Sequence, residues 1–334
     1  MRRLVRLACL SNAALLAALL AAPAPAPAHD LPGVIHDLSA ADLPESVKSF
    51  YRAYVATGDE ATRSVLVNAL VWPVPSKLTV CFAGGPVALR PKIAAAMRQW
   101  EALSGGNITF DFGSGAGSSD TPAFRECDRN RRDQIRIGFV KGGGHWSQIG
   151  TLSETVFPAN SMNLDFDTDP PPDDNTVKGI TLHESGHALG FHHEHQSPAS
   201  PCTGWAWDRI LVAYNWQGTT EAEKKAAMHF NLDRLSDQIL TTGQHTYTFS
   251  TYDRASIMHY SFPATMFVNA NDPCRVDERH ELSPADKEAM KDAYARQRDP
   301  GVRTRSIDAV LAKPGIPDEV RTLLNEQKQR YPDR

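Results

Sequence analysis

Apolar residues repeat along the first part of the chain with two different periods. They alternate over residues 78–82, which predicts a β-strand, and they recur at helical spacing over 91–103, which predicts a helix. Two further strands are predicted at 108–112 and 135–140. This order of elements predicts a sheet with helices packed on it, of the α/β or α+β class.

A loop and a long helix follow these strands. Residues 165–175 contain three consecutive prolines and several carboxylates, which predict a loop. Asn175 or Thr176 is expected to cap an apolar-faced helix. Gly190 is expected to end it, because glycine readily takes the left-handed conformation found at helix C-termini.

Regular patterns are weak beyond Gly190, so we predict a second lobe with little regular structure. It contains one helix candidate at 221–228. A late helix is predicted at 284–295, with Ser283 as its N-cap and proline at its first position. The charged residues 300–334 are predicted to form a C-terminal extension, helical or frayed.

The N-terminal residues predict the compartment. Three arginines precede an apolar run over 7–22, and small residues before His29 form an A-x-A pattern, so residues 1–28 are predicted to be a cleavable secretory signal. The run is shorter than the roughly 20 residues that span a bilayer, which disfavours a retained anchor. Cys9 lies ahead of the apolar region, which disfavours a lipoprotein. We therefore expect an extracellular or periplasmic protein with no membrane span after cleavage.

The segment between the signal and the first strand has a different composition. Residues 29–63 are polar and rich in Asp and Ala, with one helix candidate at 44–56, and are predicted to be a pro-segment or N-terminal arm. The formal net charge of the whole chain is −4 and its pI is about 6.3. This charge gives no field suited to nucleic acid, so nucleic acid is not an expected partner.

Four cysteines remain after the signal, at positions 81, 127, 202 and 274. An even number in an oxidising compartment predicts two disulfides. Three pairings are possible, and we favour Cys202 with Cys274, because both flank the segment after a histidine cluster. That choice leaves Cys81 with Cys127. The sequence has no C-x-x-C pair, which disfavours a cysteine-zinc site.

The histidine cluster carries the candidate chemistry in the pattern H-E-x-x-H-x-x-G-x-x-H. His183 and His187 lie four residues apart, so a helix places both imidazoles on one face where they can bind one ion. Glu184 would project beside that ion. His193 can join them only after a sharp turn, which Gly190 permits because it can take a positive φ. Three histidines with an open fourth position are typical of catalytic rather than structural zinc.

The short pattern H-E-x-x-H arises often by chance, but the extended pattern is far more specific. Five of the 12 histidines lie within residues 183–195. His192 and His195 lie off the ligand spacing, so they are predicted to be exposed or to support the ligands.

The extended pattern resembles that of the metzincin zinc peptidases, which also have a methionine turn downstream. Ser256-Ile257-Met258-His259-Tyr260 is similar to that turn. Glu194 after the third histidine, together with the stretch 252–260, resembles the astacin family, in particular its bacterial and fungal members, over about residues 70–296. Four further stretches show the same resemblance: Trp72-Pro73, Met97–Trp100, residues 146–151 and residues 193–198. Glu194 and the absence of calcium-binding repeats disfavour the serralysin type.

The resemblance implies an α+β, metzincin-like domain over residues 64–299. Its N-terminal lobe, to about residue 190, would contain a twisted mixed sheet and the zinc-binding helix. Its C-terminal lobe would be irregular, with the methionine turn and a late helix. Met258 would form a hydrophobic floor beneath Zn²⁺, and Tyr260 would be a resting ligand that swings out to stabilise the oxyanion. Taken alone, a methionine more often fills a core and a tyrosine more often packs with its hydroxyl bound.

The resemblance also bears on activation. Glu194 would pair with a mature N-terminus, for instance Ser64 after a cut at Arg63. Gly58-Asp59 resembles the zinc-blocking aspartate of zymogens of the family. The chain departs from animal astacins after Glu194, where His195-Gln196-Ser197-Pro198 stands, so the mode of latency is left open.

We therefore predict a monomeric, secreted zinc endopeptidase acting on proteins or peptides, with Glu184 as general base. One alternative is a non-catalytic adhesion module of the same fold, which the presence of Glu184 disfavours. Another is a metal hydrolase acting on non-peptide amides or esters.

Overall fold

The structure is a computed structural model that describes residues 70–113, 124–166, 170–197, 199–213, 220–232, 252–295 and 301–332. The predicted signal, the pro-segment with its helix and Gly58-Asp59, and the Arg63 cleavage site lie outside these residues. Among the described residues, no helix has both the length and the apolar character that a membrane span requires.

A five-stranded sheet forms the first part of the structure. Its strands in chain order are β1 (Ser76–Ala83), β2 (Ile108–Asp111), β3 (Ile135–Gly138), β4 (Trp146–Ser147) and β5 (Met162–Asn163). Their spatial order is β2-β1-β3-β5-β4, with parallel pairing except at the edge, where β4 runs antiparallel to β5. The three predicted strands are confirmed to within two residues at each end. The two-residue strands β4 and β5 were not predicted, because they are too short to show a period.

Three helices accompany the sheet: α1 (Arg90–Glu101), α2 (Leu152–Thr155) and α3 (Asp174–Ala188). The first packs against α3, where the Trp100 indole N–H donates to Leu182 O at 3.0 Å and its ring stacks on Phe191. The prediction of Asn175 or Thr176 as the cap of α3 is wrong. Asp173 is the N-cap, because its Oδ1 accepts from both of their backbone N–H groups, at 2.8 and 2.9 Å.

The second lobe is irregular over its described residues, as predicted. Its helices are α4 (Trp207–Ala213), α5 (Glu221–Leu232) and α6 (Pro284–Met290), the last followed by a π-helical turn at Lys291–Ala295, with 3₁₀ turns at Glu194–Gln196 and Ala264–Met266. Ser283 is confirmed as the N-cap of α6. Its hydroxyl accepts from Asp286 N at 3.0 Å, while its own N–H donates to the Asp286 carboxylate at 2.8 Å.

Two C-terminal helices, α7 (Gly301–Leu311) and α8 (Asp318–Arg330), pack against each other and onto the first lobe. They cover an apolar cluster that includes Leu70, Ile149 and Leu152. The Thr151 hydroxyl donates to Gln327 Oε1 at 3.1 Å in the same contact. The extension is therefore helical, and its α7–α8 pair is docked on the sheet lobe.

Both favoured disulfides are present. Cys81–Cys127 joins β1 to the segment before β3. Cys202–Cys274 lies in the second lobe within a cluster of buried aromatic side chains.

Candidate metal centre

Helix α3 places two histidines side by side. The Nε2 atoms of His183 and His187 are 3.2 Å apart, and their rings stand nearly perpendicular. Both side chains are buried. The helical period therefore brings the first two predicted ligands together.

A Schellman turn brings the third histidine to the first two. Gly190 has a φ of 100°, its N–H donates to His187 O at 2.7 Å, and the N–H of Phe191 donates to Gly186 O at 3.0 Å. The chain reverses there, and His193 Nε2 comes to 2.9 Å from His187 Nε2. The predicted role of Gly190 as the turn residue agrees with this geometry.

The hydrogen-bond partner of each Nδ1 atom indicates which of the two ring nitrogens carries the proton. His183 Nδ1 is 2.7 Å from Ile257 O, and His187 Nδ1 is 2.8 Å from Phe191 O. A carbonyl oxygen only accepts, so both Nδ1 atoms carry the proton and both Nε2 atoms carry a lone pair. His193 Nδ1 faces the side-chain oxygen of Gln196 at 3.3 Å in the same way.

Three nitrogen lone pairs therefore converge in the interior of the protein. Burial lowers the pKa of His183 to about 4 and holds the pKa values of His187 and His193 well below the ordinary histidine value. Neutral imidazoles at this separation repel unless a cation lies between them. Two nitrogens at about 2.0–2.1 Å from a tetrahedral zinc would be about 3.3 Å apart, close to the distances here. The three residues fit a metal ion.

Glu184 follows His183 directly on α3 and supplies a carboxyl group. Its side chain is buried, and its Oε2 atom has no hydrogen-bond partner among the described residues. Burial raises the pKa of this carboxyl well above its ordinary value. A buried carboxyl oxygen without a partner is suited to exchanging a proton with a water molecule.

The methionine turn lies against the same helix. A Cβ atom at Gly186 would be 2.4 Å from Met258 Sδ, so Met258 packs on the helical turn that carries His183 and His187. The Tyr260 ring centroid is 5.0 Å from that of His183 and 4.3 Å from that of His193. The structure thus brings Met258 and Tyr260 to the histidine cluster, whereas ligation by Tyr260 stays a prediction.

Glu194 ties the third histidine to the methionine turn. Its N–H donates to Met258 O at 2.9 Å, and its Oε1 accepts from Asp253 N at 2.8 Å. Burial raises the pKa of its carboxyl to about 7. The mature N-terminus that Glu194 was predicted to bind lies outside the described residues, so that pairing stays a prediction.

The neighbouring histidines differ in exposure. His195 is fully buried, with its ring 5.1 Å from His193 and 4.8 Å from Phe262. The prediction of exposure is therefore wrong for His195, and its support of the ligands stays a prediction. His192 is partly buried.

Several residues that support α3 were not predicted from the sequence. The Trp72 indole donates to Ala188 O at 2.7 Å, the Tyr294 hydroxyl to Leu189 O at 2.5 Å, and Gly150 N to His187 O at 2.9 Å. Trp72 and Tyr294 thereby bind carbonyls at the C-terminal end of the helix, and Gly150 adds a second donor to His187 O. Local sequence carries no signal for them, because Trp72 and Tyr294 lie 116 and 105 residues from the carbonyls they bind.

A second group, Cys202, His259 and Cys274, also lies close together. Its cysteines form a disulfide, so no thiolate is available to a metal. His259 Nδ1 donates to Tyr260 O at 2.8 Å, and its Nε2 accepts from the Tyr252 hydroxyl at 2.7 Å.

Comparison with known proteins finds solved structures that are similar to this chain, among them two structures of myroilysin. No protein-family model and no curated protein sequence matches the chain. One solved structure of myroilysin matches with a TM-score of 0.53 and 28% identity, covering 69% of this chain and 98% of that chain. A second myroilysin structure matches with a TM-score of 0.50 and 26% identity, covering 68% and 86%. The likeness is consistent with a metzincin-like α+β fold, which confirms the predicted fold class, and it suggests a peptidase.

Proposed function

We propose that this protein is a secreted, astacin-like zinc endopeptidase whose Zn²⁺ is held by His183, His187 and His193. The observation that carries the proposal is the convergence of three unprotonated Nε2 atoms, two of them on the helix that also carries the buried carboxyl of Glu184. The structural neighbour myroilysin is a metallopeptidase, which supports peptide hydrolysis. Two disulfides support an oxidising, extracellular compartment.

The chemistry divides between the metal and the side chains. His183, His187 and His193 would hold the zinc ion, which when bound would supply a Lewis acid for a water molecule and for the scissile carbonyl. Glu184 takes a proton from the attacking water and delivers it to the leaving amine. The Tyr260 hydroxyl donates a hydrogen bond to the oxyanion that forms on the substrate carbonyl.

Replacement of Glu184 by Gln tests the assignment. The amide has the same shape but cannot accept the proton, so we expect cleavage of casein or gelatin to fall about 10²–10⁴-fold or more. Metal analysis should still find one zinc per chain, since the three histidines are unchanged. Glu278→Gln, at an exposed surface position, is the matched control and should retain full activity.

Two results would contradict the proposal. The first is a Glu184→Gln enzyme with activity near that of the wild type. The second is a wild-type protein that binds zinc and hydrolyses esters or other amides, yet cleaves no peptide after chelation and zinc restoration.

A further inference from the structure

A continuous chain of hydrogen bonds links His183 to a buried carboxylate. His183 Nδ1 donates to Ile257 O at 2.7 Å. The N–H at the other end of that peptide unit, on Met258, donates to Ser256 Oγ at 3.0 Å. The Ser256 hydroxyl then donates to Asp286 Oδ1 at 2.6 Å. Every donor in this chain points from the imidazole toward the carboxylate.

The carboxylate at the end of the chain is held firmly. Its second oxygen accepts from the backbone N–H groups of Ile257 and Ser283, both at 2.8 Å. Ser256 and Asp286 are 2% and 6% exposed, so the chain is shielded from water. Burial raises the pKa of Asp286, and these hydrogen-bond donors oppose that rise by stabilising its charged form.

The Nδ1 atoms of the other two histidines face groups close to them in the sequence. The partner of His187 is the backbone carbonyl of Phe191, in the turn that follows α3, and that of His193 is the neutral amide oxygen of Gln196. His183 is therefore joined to a carboxylate by a route through another segment of the chain.

Aligned hydrogen bonds polarise one another, by about 10–30% per bond, and a charged acceptor at the end strengthens the effect. Negative charge on Asp286 makes Ser256 Oγ a better acceptor. The peptide is polarised in turn, and Ile257 O pulls more strongly on the Nδ1 proton. The result is a fixed tautomer and greater electron density at His183 Nε2, the atom that faces the other two histidines.

We propose that Asp286 is a positioning residue which, through Ser256 and the Ile257–Met258 peptide, orients His183 and raises its basicity toward the metal. This inference rests on the proposed zinc site, but not on the identity of the substrate.

The test compares two buried serines next to Asp286. Ser256→Ala removes the middle of the chain, whereas Ser283→Ala removes the cap of α6 and leaves the chain intact. We expect Ser256→Ala to lower zinc affinity about 10–100-fold, measured by competition with a chromophoric chelator. Ser283→Ala should bind zinc as the wild type does, even though the lost cap lowers its stability.

A second measurement does not require metal. In the zinc-free protein, NMR of labelled histidine should show the His183 Nδ1 proton resonance moving upfield in Ser256→Ala, because its hydrogen bond weakens, and unchanged in Ser283→Ala. Asp286→Asn should lower zinc affinity as Ser256→Ala does. The double variant should lose little more than either single variant, since both break one chain.

The outcomes separate this inference from the proposed function. Wild-type protein without zinc affinity overturns both. The positioning role alone is overturned if the wild-type protein binds zinc and cleaves peptides, while Ser256→Ala binds zinc as tightly as the wild type or no more weakly than Ser283→Ala does.

Discussion

At the scale of single residues, Gly186 shows how closely the methionine turn approaches the histidine helix. A glycine inside a helix costs roughly 0.5–1 kcal/mol relative to alanine. Here a Cβ would lie 2.4 Å from Met258 Sδ and 3.4 Å from the Trp100 ring. The glycine is therefore explained by packing rather than by any need for backbone freedom.

Gly186→Ala should consequently destabilise the protein instead of stabilising it. We expect a loss of about 1–3 kcal/mol in the free energy of unfolding, because the added methyl group displaces Met258. Chemical denaturation of the zinc-free protein measures this change in the free energy of unfolding. Met258→Ala opens the space that the methyl group needs, so the double variant should lose less than the sum of the two singles. Stabilisation by Gly186→Ala would show that the contact is not tight.

The supporting residues of the site could not be predicted from sequence, although its ligands could. The spacing of His183, His187 and His193 is local and reflects one helix and one turn. Asp286 acts on Ile257 from 29 residues away and on Ser256 from 30. The sequence around Asp286 predicts an aspartate in the first turn of a helix. It does not show that the same side chain also binds the distant methionine turn.

At the scale of elements, the C-terminal helix α8 contributes to the core of the first lobe. Leu324 is fully buried in the cluster with Leu70 and Ile149. Leu324→Ala should lower the free energy of unfolding by about 2–5 kcal/mol, because it leaves a cavity. Glu326→Ala, at an exposed position on the same helix, is the control and should change it by less than about 0.5 kcal/mol. If Leu324→Ala and Glu326→Ala changed the free energy of unfolding equally in denaturant titrations, α8 would not unfold together with the first lobe.

Elements were predictable from sequence in proportion to their length. The alternation around Val80 and the helical repeat around Met97 extend far enough to define β1 and α1. Strands β4 and β5 have two residues each, so their pairing depends on neighbours brought in by the rest of the fold. The start of α3 was misplaced because several polar residues compete for the cap, and only the structure shows Asp173 accepting both N–H groups.

At the scale of the whole molecule, each lobe contains one disulfide. Cys202–Cys274 links residues 72 positions apart and Cys81–Cys127 residues 46 apart.

Replacement of Cys202 and Cys274 together by serine should lower the free energy of unfolding by about 2–5 kcal/mol under oxidising conditions, because the unfolded chain gains conformational freedom. Thermal unfolding of the secreted protein measures the change. The matched pair Cys81→Ser/Cys127→Ser should cost a similar amount, since the difference in loop length is worth only a few tenths of a kcal/mol. A double variant that unfolds at the wild-type temperature would contradict this expectation.

The burial of Leu70 limits where the chain can be cut without damage. Its side chain is enclosed by the cluster under α7 and α8, and its carbonyl accepts from Thr151 N at 2.7 Å. A processing protease must draw an extended stretch of chain into its own cleft, which the docked segment at Leu70 cannot enter. If the predicted N-terminal arm is removed by proteolysis, we therefore expect the cut to fall upstream of Leu70, because the C-terminal helices α7 and α8 cover this residue.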